Sequence, residues 1–491
     1  MAMNASAETA VYRRVILSGR EVAAAAGGEL VAGGPEVAIA GVSTDSRQVR
    51  PGDLFFALRG ERQDGHQFLT AAWAAGAAGA VVSSLPAGEL PPGRLIVKVP
   101  DTTAALGGLA AYYRRRFSPV VVGITGSVGK TTTKDFTAAV LGRAGPVLHS
   151  RGNMNTEIGL PLTMFGLRPE HAFAVFEMGM RGPGQISALC DIARPQVGVI
   201  TNIGTTHLEL LGSVEAIARA KQELLLALPP AGRAVLWADD PWLWRFGREG
   251  GTEVVWFGLA EGRCAAVGGV CARGRIMVSG DGTEFVLAYR GRTETVRLRV
   301  PGRHNVLNAL AAAAVGIALG LELPQIRAGL EQAEISAMRS EVLRAGSWLI
   351  INDCYNASPA SMRAALELLG AAGRGRRKVA VLGDMLELGP VSPAAHEEVG
   401  RMAARAGVDL LVAVGPRALD IARAAREEGM NPGEVVHFPD AGTAAGEVPT
   451  LLRPDDAVLV KASRGTHLEV VVARLQAVAG TAAGEPEGDR S

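Results

Sequence analysis

Short apolar runs that stop on glycine or a polar residue recur along the chain. They are VVVGITG from Val120, FAVFEMG from Phe173, VGVITNIG from Val197, KVAVLGDM from Lys378, DLLVAVG from Asp409 and DAVLVKASRG from Asp456. Alanine-rich stretches with helical spacing lie between them. Continuous rather than alternating apolar runs predict strands buried on both faces, and strands alternating with helices predict βαβ units with a parallel sheet. Ligand sites in such folds lie at the carboxyl ends of strands, and most of these runs end on residues with chemistry to offer. A further strand is predicted over EVLRAGSWLIIND from Glu341. Breaks are predicted near Arg114–Pro119 and near Ala333–Ser340, and no short-period repeat is evident. Two uncharged runs, Gly65 to Gly88 and Asn305 to Leu321, approach the length of a membrane span. Both are rich in alanine and glycine rather than leucine. The first is interrupted by Gln67, Ser83, Ser84 and Pro86, and the second holds Asn305 and Asn308, so both predict soluble helices packed in a core.

The remaining bulk properties narrow the picture only slightly. A chain of 491 residues suggests about three domains. The formal net charge of +1 gives no bulk field for nucleic acid or a membrane surface, so any anion must be held by local chemistry. The four cysteines, Cys190, Cys264, Cys271 and Cys354, form no CxxC pair and suggest neither zinc nor a disulfide scaffold. The start, MAMNASAETAVYRR, lacks the apolar core of a signal peptide, so a reducing cytoplasm is expected. The first ten residues and the tail 481–491 have little to bury and are expected to be loose.

The chemistry concentrates at the ends of the apolar runs. After Val120 the chain reads VVVGITGSVGKTTTK. Backbone N–H groups of such a glycine turn, with the start of the following helix, cradle phosphates. Gly126, Ser127, Val128, Gly129, Lys130, Thr131 and Thr132 are the candidates. Lys130 would neutralise phosphate charge and the Thr131 hydroxyl would ligate Mg²⁺. Ile124 stands where the general pattern has its first glycine, and a glycine turn with an incidental lysine is the plainer alternative. Glu177 could hold Mg²⁺ or be a solvated strand-end residue. His207 sits on a strand-end loop, where a lone histidine is otherwise structural. SVEAIARAKQELLLAL reads as a helix capped by Ser213, with Lys221 on its apolar stripe beside Val214 and Ala218. Burial lowers a lysine pKa, and a neutral amine can take up carbon dioxide as a carbamate. A lysine snorkelling off the stripe fits the same pattern. His304, Asn305 and Asn308 share one face of a helix start, where the amides could read a base or cap the helix. Met338-Arg339, the Asp353-Cys354-Tyr355-Asn356 strand end, Asp384 and the Lys461, Ser463, Arg464 cluster complete the set. Arg339 and Lys461 could bind phosphate or carboxylate.

Taken in order, TGSVGKTTTK, EMG, TNIGTTHLELLGS, AKQE, PGRHNVLNALAA and the late strand ends resemble the muramyl ligase family over nearly the whole length. GNMNTEIGLPLT at 152–163, DCYNASPASM from Asp353 and GDMLELG at 383–389 point to the branch that adds D-alanyl-D-alanine to a UDP-linked muramyl tripeptide. The resemblance implies an α/β protein of three domains: a small N-terminal UDP-substrate domain (12–116), a central P-loop ATPase with a mainly parallel sheet (117–334) and a C-terminal Rossmann-like domain (335–480). It implies ATP and two Mg²⁺ ions, with metal ligands Thr131, Glu177 and His207, and a carbamylated Lys221. Asn305 would contact adenine, and Arg339, Asp353 and Tyr355 would close over ATP. Ser43, Thr44, Asp45, Ser46 and Arg47, with Asn153, Asn155 and Thr156, would hold the UDP substrate. Asn356, Ser358, Asp384, Lys461, Ser463 and Arg464 would serve D-alanyl-D-alanine or closure. The implied protein is a monomer without a membrane span. Asn352, Cys354, Ser358 and the THLELLGS stretch depart from the commoner family residues, which leaves the contacts of Ser358 open.

The implied reaction activates the tripeptide carboxylate as an acyl phosphate, with Lys130 and Mg²⁺ stabilising the spreading charge. The D-alanyl-D-alanine amine then displaces phosphate, and closure would exclude water. A sister ligase is the nearest rival. A P-loop kinase or GTPase is disfavoured by the late α/β region and the lack of an NKxD motif. A non-catalytic nucleotide module would not need Glu177, His207 and Lys221 together.

Overall fold

The computed structural model describes residues 17–60, 63–85 and 92–482. The predicted loose N-terminus lies outside the described residues. So does the predicted tail, apart from Thr481 and Ala482, which end the last helix, Glu469–Ala482. The fold is α/β, and all six apolar runs form strands: Val120–Thr125, Phe173–Glu177, Val197–Ile200, Lys378–Gly383, Leu410–Val414 and Ala457–Lys461. Two compact units are formed. One contains the described residues up to Thr125, with Gly145–Gly198 and Glu223–Gly232. The other contains Gly126–Ala144, Val199–Gln222 and the chain from Arg233 onward.

In the first unit, five strands lie in the order Glu29–Ala32, Leu95–Lys98, Gly79–Val82, Asp53–Phe56, Gly41–Ser43. Only the first pair is antiparallel. The same unit carries Phe173–Glu177 paired in parallel with both Val147–His149 and Val120–Thr125. The register sets Glu177 opposite Ile124, so the carboxylate sits beside the strand end that leads into the glycine loop. The run from Gly65 is not the single helix expected. A 3-10 turn, Gly65–Phe68, and a short helix, Leu69–Ala74, give way to the Gly79–Val82 strand. Gly76 adopts φ +94°, a left-handed turn that ends the helix. The β-branched pair Val81-Val82 is then used in the sheet, fully buried.

In the second unit, Arg233–Trp237, Glu253–Leu259 and Val270–Ser279 pair in parallel, and Gly282–Tyr289 and Arg292–Leu298 continue antiparallel. A six-stranded sheet follows in the order Glu341–Ala345, Trp348–Asn352, Ala457–Lys461, Lys378–Gly383, Leu410–Val414, Val435–Phe438. The single strand expected over EVLRAGSWLIIND is a two-stranded hairpin. Gly346, at φ +58°, turns the chain so that Ala345 faces Trp348. Alternate residues of this sheet enter opposite cores. Ile351, Leu382, Leu411 and Leu459 pack on one face, and Ile350, Val381, Val412 and Val458 on the other. Burial on both faces is why these strands are apolar throughout.

The run from Asn305 does form the predicted core helix, Arg303–Ala318. Ala311, Ala312, Ala313 and Ala314 are all fully buried, so the helix is enclosed on every side. Small side chains let the neighbouring helix, Lys130–Leu141, approach closely. A Cβ on Gly316 would lie 3.0 Å from Val140 Cγ1. Ala312→Leu should therefore overpack this core and destabilise the protein by roughly 1–3 kcal/mol. A lowered midpoint in thermal unfolding is the expected result, and an unchanged midpoint would contradict the close packing.

Candidate active site

The glycine loop runs from the end of the Val120–Thr125 strand into the Lys130–Leu141 helix. Gly126 has φ +149° and Gly129 has φ +86°, conformations that L side chains rarely adopt. Space forbids a side chain as well. A Cβ on Gly126 would sit 1.9 Å from Thr201 Oγ1, and one on Gly129 would sit 2.3 Å from Asn308 Oδ1. The Lys130 ammonium donates to Gly126 O at 2.8 Å, which folds it back over the loop. The first N–H groups of a helix have no intrahelical acceptor, so this start offers donors and a positive dipole end to an anion. Thr131 and Thr132 are buried there.

The loop is held from outside by the segment after the Val197–Ile200 strand. Val128 N donates to Asn202 Oδ1 (3.0 Å), while Asn202 Nδ2 and Thr201 Oγ1 both donate to Val128 O (2.9 and 2.6 Å). Ser127 N donates to Asn202 O (3.1 Å), and Gly204 N donates to Ser127 Oγ (2.8 Å). Asp240, the N-cap of the Pro241–Glu249 helix, accepts from Ile203 N at 2.8 Å and so fixes the brace in turn. Thr201, Asn202 and Asp240 were missed as site-building residues from sequence. Asn202 shows as a polar strand end, but its partner lies 74 residues away along the chain.

Asn305 and Asn308 are buried on one helix face, as their spacing predicts. Asn305 does not cap the helix, because Gly302 holds that position. Its amide donates to Pro301 O (2.8 Å) and accepts from Asn308 Nδ2 (3.2 Å). Thr133 Oγ1 donates to Asn308 Oδ1 (3.4 Å), which ties this helix to the one that starts at the loop.

Lys221 lies on the Val214–Leu226 helix, whose Ser213 hydroxyl accepts from Ala216 N as a cap. It is 2% exposed. Burial, and secondarily the Lys130 charge, push its pKa well below the usual lysine value. The snorkelling alternative is excluded, and the neutral amine that a carbamate requires is favoured.

Glu177 is 3% exposed, and Asn155 Nδ2 donates to its Oε1 at 2.7 Å. Asn155 therefore orients the carboxylate. Asn153 lies beside it in the same loop and its O accepts from Asn155 N, while Thr156 Oγ1 accepts from Gly159 N at the start of a short helix. His207 has φ +66°, and its Nδ1 lies 2.9 Å from Glu387 Oε2. That is an ion-pair distance, but the alignment is not that of a hydrogen bond. Among the described residues no three His, Cys, Asp or Glu side chains gather as a metal cage. Taken singly, the hydroxyl of Thr131 and the carboxylate of Glu177 are each a hard oxygen donor of the kind Mg²⁺ takes. That ion is held by one or two carboxylates together with substrate phosphates rather than by an all-protein cage.

The segment from Ser336 to Glu341 joins the Leu323–Gln332 helix to the six-stranded sheet. Ser336 N and Oγ both donate to Asp135 Oδ2 (2.9 and 2.8 Å), and Asp135 is paired with buried Lys134 (2.8 Å). Arg339 Nη2 donates to Thr131 Oγ1 at 2.7 Å, and its guanidinium stacks 3.9 Å from the Tyr355 ring centroid. Met338 and Ser340, on either side, are both left-handed at φ +59° and +53°. Ser340 N donates to Asp353 Oδ1 (3.0 Å), and Lys461 donates to Asp353 Oδ2 (2.5 Å) and Asn356 O (2.9 Å). Ser358 caps the Pro359–Ala372 helix by accepting from Ser361 N. Asp384 accepts from Ala418 N (2.8 Å), and Ser463 Oγ accepts from Leu386 N (2.9 Å). Arg464 pairs with Glu469 at 3.1 Å.

In the first unit Ser43 to Arg47 form a turn after the Gly41–Ser43 strand. Ser43 Oγ donates to Asp45 O, and Arg47 donates to both Asp45 oxygens (2.9 and 2.7 Å). The Arg47 hydrogen bonds hold the Asp45 carboxyl below its usual range. Thr44 and Ser46 are half-buried in the same turn.

Three domain descriptions match in series: "Mur ligase family, catalytic domain" over residues 38–114, "Mur ligase middle domain" over 124–316 and "Mur ligase, glutamate ligase domain" over 338–464. The chain belongs to the Mur ligase family. Within it, the chain is 38% identical to the UDP-N-acetylmuramoyl-tripeptide–D-alanyl-D-alanine ligase of Escherichia coli, over 90% of this chain and 95% of that one. It is 40% identical to the protein of the same name in Synechocystis, over 90% and 93%. A crystal structure of MurF from Acinetobacter baumannii superposes with a TM-score of 0.84 at 34% identity, covering 94% of this chain and 99% of the other. MurF ligase from Thermotoga maritima in complex with ADP gives 0.78 at 30% identity, covering 90% and 98%.

Gly129→Ala should weaken ADP binding at least about tenfold, since strain at a left-handed position costs of order 1–3 kcal/mol before the clash with Asn308 is counted. Adding Asn308→Ala should restore part of it. Calorimetric titration of both variants checks this, and unchanged binding by Gly129→Ala alone would contradict the loop geometry. Lys221 gives a second expectation. Between its depressed folded pKa and the usual lysine value, the unfolded chain holds a proton that the folded chain does not, so stability rises with pH across that window. In carbon-dioxide-free buffer Lys221→Met should flatten that rise and be the more stable protein at neutral pH. Parallel slopes for the two proteins in denaturant titrations would show that Lys221 is charged in the fold.

Proposed function

We propose that this chain joins D-alanyl-D-alanine to the tripeptide carboxylate of UDP-N-acetylmuramoyl-tripeptide. ATP is consumed, and UDP-N-acetylmuramoyl-pentapeptide, ADP and phosphate are released, as a step of peptidoglycan precursor synthesis. The observation that carries this reading is a glycine loop braced by Thr201, Asn202 and Asn308, in a chain collinear with ligases of that name over nearly their full length.

In this reading a carboxylate oxygen of the tripeptide attacks the γ-phosphorus, and the bond to the β-phosphate oxygen breaks to release ADP. The amine of D-alanyl-D-alanine then attacks the acyl carbon, loses a proton and expels phosphate. Gly126, Ser127, Val128, Gly129 and Thr132 enclose the phosphates, and Lys130 moves from its resting bond on Gly126 O to the β- and γ-oxygens. Bound Mg²⁺ ions supply further charge neutralisation. Thr131, Glu177 and His207 are the residues that would hold them, with Asn155 orienting Glu177. Carbamylated Lys221 adds an anion to a site whose nearest charge is the cationic Lys130. The carbamate forms when the neutral amine attacks carbon dioxide and releases one proton. Asn305 reads the adenine. Arg339, stacked on Tyr355 and set by Asp353, stabilises the transferring phosphoryl group. Ser43, Thr44, Asp45, Ser46 and Arg47 hold the UDP moiety, with Asn153, Asn155 and Thr156 contributing to the same substrate. Asn356, Ser358, Asp384, Lys461, Ser463 and Arg464 build the strand-end surface for D-alanyl-D-alanine and for closure against water. Domain boundaries near residues 116 and 334 follow from the same reading, as do a monomeric state and a cytoplasmic location. Among the described residues no helix is long and apolar enough to cross a membrane.

ADP release, measured while omitting UDP-muramyl-tripeptide, D-alanyl-D-alanine or Mg²⁺ one at a time, tests the proposal. Turnover should require all three and give a UDP-muramyl-pentapeptide. No turnover with either the diaminopimelate or the lysine tripeptide would direct the reading to a sister ligase.

A further inference from the structure

Two of the four cysteines meet in a place unrelated to the proposed reaction. Cys264 lies on a short helix, Arg263–Ala266, and Cys271 lies on the strand Val270–Ser279 that follows it. Their sulfurs are 2.7 Å apart, with Cys271 Sγ in donor position to Cys264 Sγ. Both are buried in a small cluster with Ala238, packed by Trp244, Trp256 and Ala260. We propose that Cys264 and Cys271 are an oxidisable dithiol that closes to a disulfide at the expense of a peroxide.

Three observations support this. The pair is already aligned, because the connection is pinned at both ends. Arg263 N donates to Asp239 Oδ1 at 2.8 Å, and Gly269 N donates to Cys264 O at 2.9 Å. Little backbone rearrangement stands between the thiols and a bond of about 2.05 Å. The close contact also means that when one thiol loses its proton the other can donate a hydrogen bond to it, so one sulfur can attack while the other resolves. Finally, the other two cysteines have different surroundings. Cys190 touches Met178 Sδ and is pushed up to about 12 by burial, and Cys354 is pushed up as well.

The step balances. One sulfur of the pair, as its thiolate, attacks one peroxide oxygen, the O–O bond breaks, and a proton converts the departing hydroxide to water, leaving a sulfenic acid. The second sulfur attacks the first, the S–O bond breaks, and a second water leaves as the disulfide forms. Two thiols lose two electrons and hydrogen peroxide gains them. A peroxide is small enough to reach thiols that a bulky alkylating reagent cannot.

The test uses the full chain treated with hydrogen peroxide, then quenched and unfolded in the presence of an alkylating reagent. Four alkylated cysteines per chain before treatment should become two, with the intact mass before alkylation lower by the two lost hydrogens. Peptide mapping should join the peptides holding Cys264 and Cys271, while Cys190 and Cys354 remain alkylated. Cys264→Ser and Cys271→Ser should each abolish the cross-link. Reduction of the oxidised protein should restore four thiols and lower its thermal midpoint by a few degrees, roughly what closing a short loop contributes in a domain of this size. Four alkylated thiols after peroxide, or a cross-link or oxidation confined to Cys190 or Cys354, would overturn the proposal.

Discussion

The conformation of the glycine loop is the constraint on which the proposed chemistry rests. Its backbone turns through left-handed angles at Gly126 and Gly129 to present N–H groups and the helix start to an anion. The loop is braced by residues outside it. It is held because Asn202 both accepts from and donates to Val128, and because the Thr201 and Asn308 side chains occupy the space that side chains at Gly126 and Gly129 would need. Asp240 then fixes the bracing segment through Ile203. The proposed anion site would thus be preorganised by neutral amides and a hydroxyl, which do not compete for the negative charge they help to position.

Around this loop the protein buries charge in three different ways. Lys461 is 2% exposed but satisfied by Asp353 and the Asn356 carbonyl, so its charge fixes the strand-end turn that carries Tyr355. Lys134 is buried against Asp135, and Asp135 also accepts twice from Ser336, so that pair locks the connection into the late sheet. Among the described residues Lys221 has no carboxylate partner within ion-pair distance; burial, and secondarily the Lys130 charge, push its pKa well below the usual lysine value. A buried charge without a partner is among the costliest features a fold can retain. Its place on the helix that follows the bracing segment is consistent with a chemical rather than a structural use.

The Met338–Ser340 turn shows the same kind of cost. Two non-glycine residues hold left-handed conformations on either side of Arg339. The turn is over-determined by Ser340 N on Asp353 and by His304 Nε2 near Ser340 Oγ. The result is a guanidinium stacked on Tyr355 with one nitrogen on Thr131. In the proposed reaction an arginine placed that firmly beside Thr131 would stabilise transferred charge.

The sequence by itself determined the strands, the glycine loop and the Lys221 helix, because each is written in a local period. Doubly buried strands need apolar residues at every position, and a helix stripe repeats every three or four. It also determined the family, because the motifs recur in a fixed order. Local pattern failed where turns intervene. Gly76 and Gly346 divided runs that read as single elements, since a left-handed glycine within an apolar run leaves no periodic trace. Only the tertiary structure decided which polar residues act together. Asn202 with Val128, Asn155 with Glu177, Arg339 with Thr131 and Cys264 with Cys271 are pairs made by strand order and by the packing of loops at strand ends. Hydrogen bonds depend on positions in space to a few tenths of an ångström, and residues far apart in the chain acquire those positions only when the whole fold is formed.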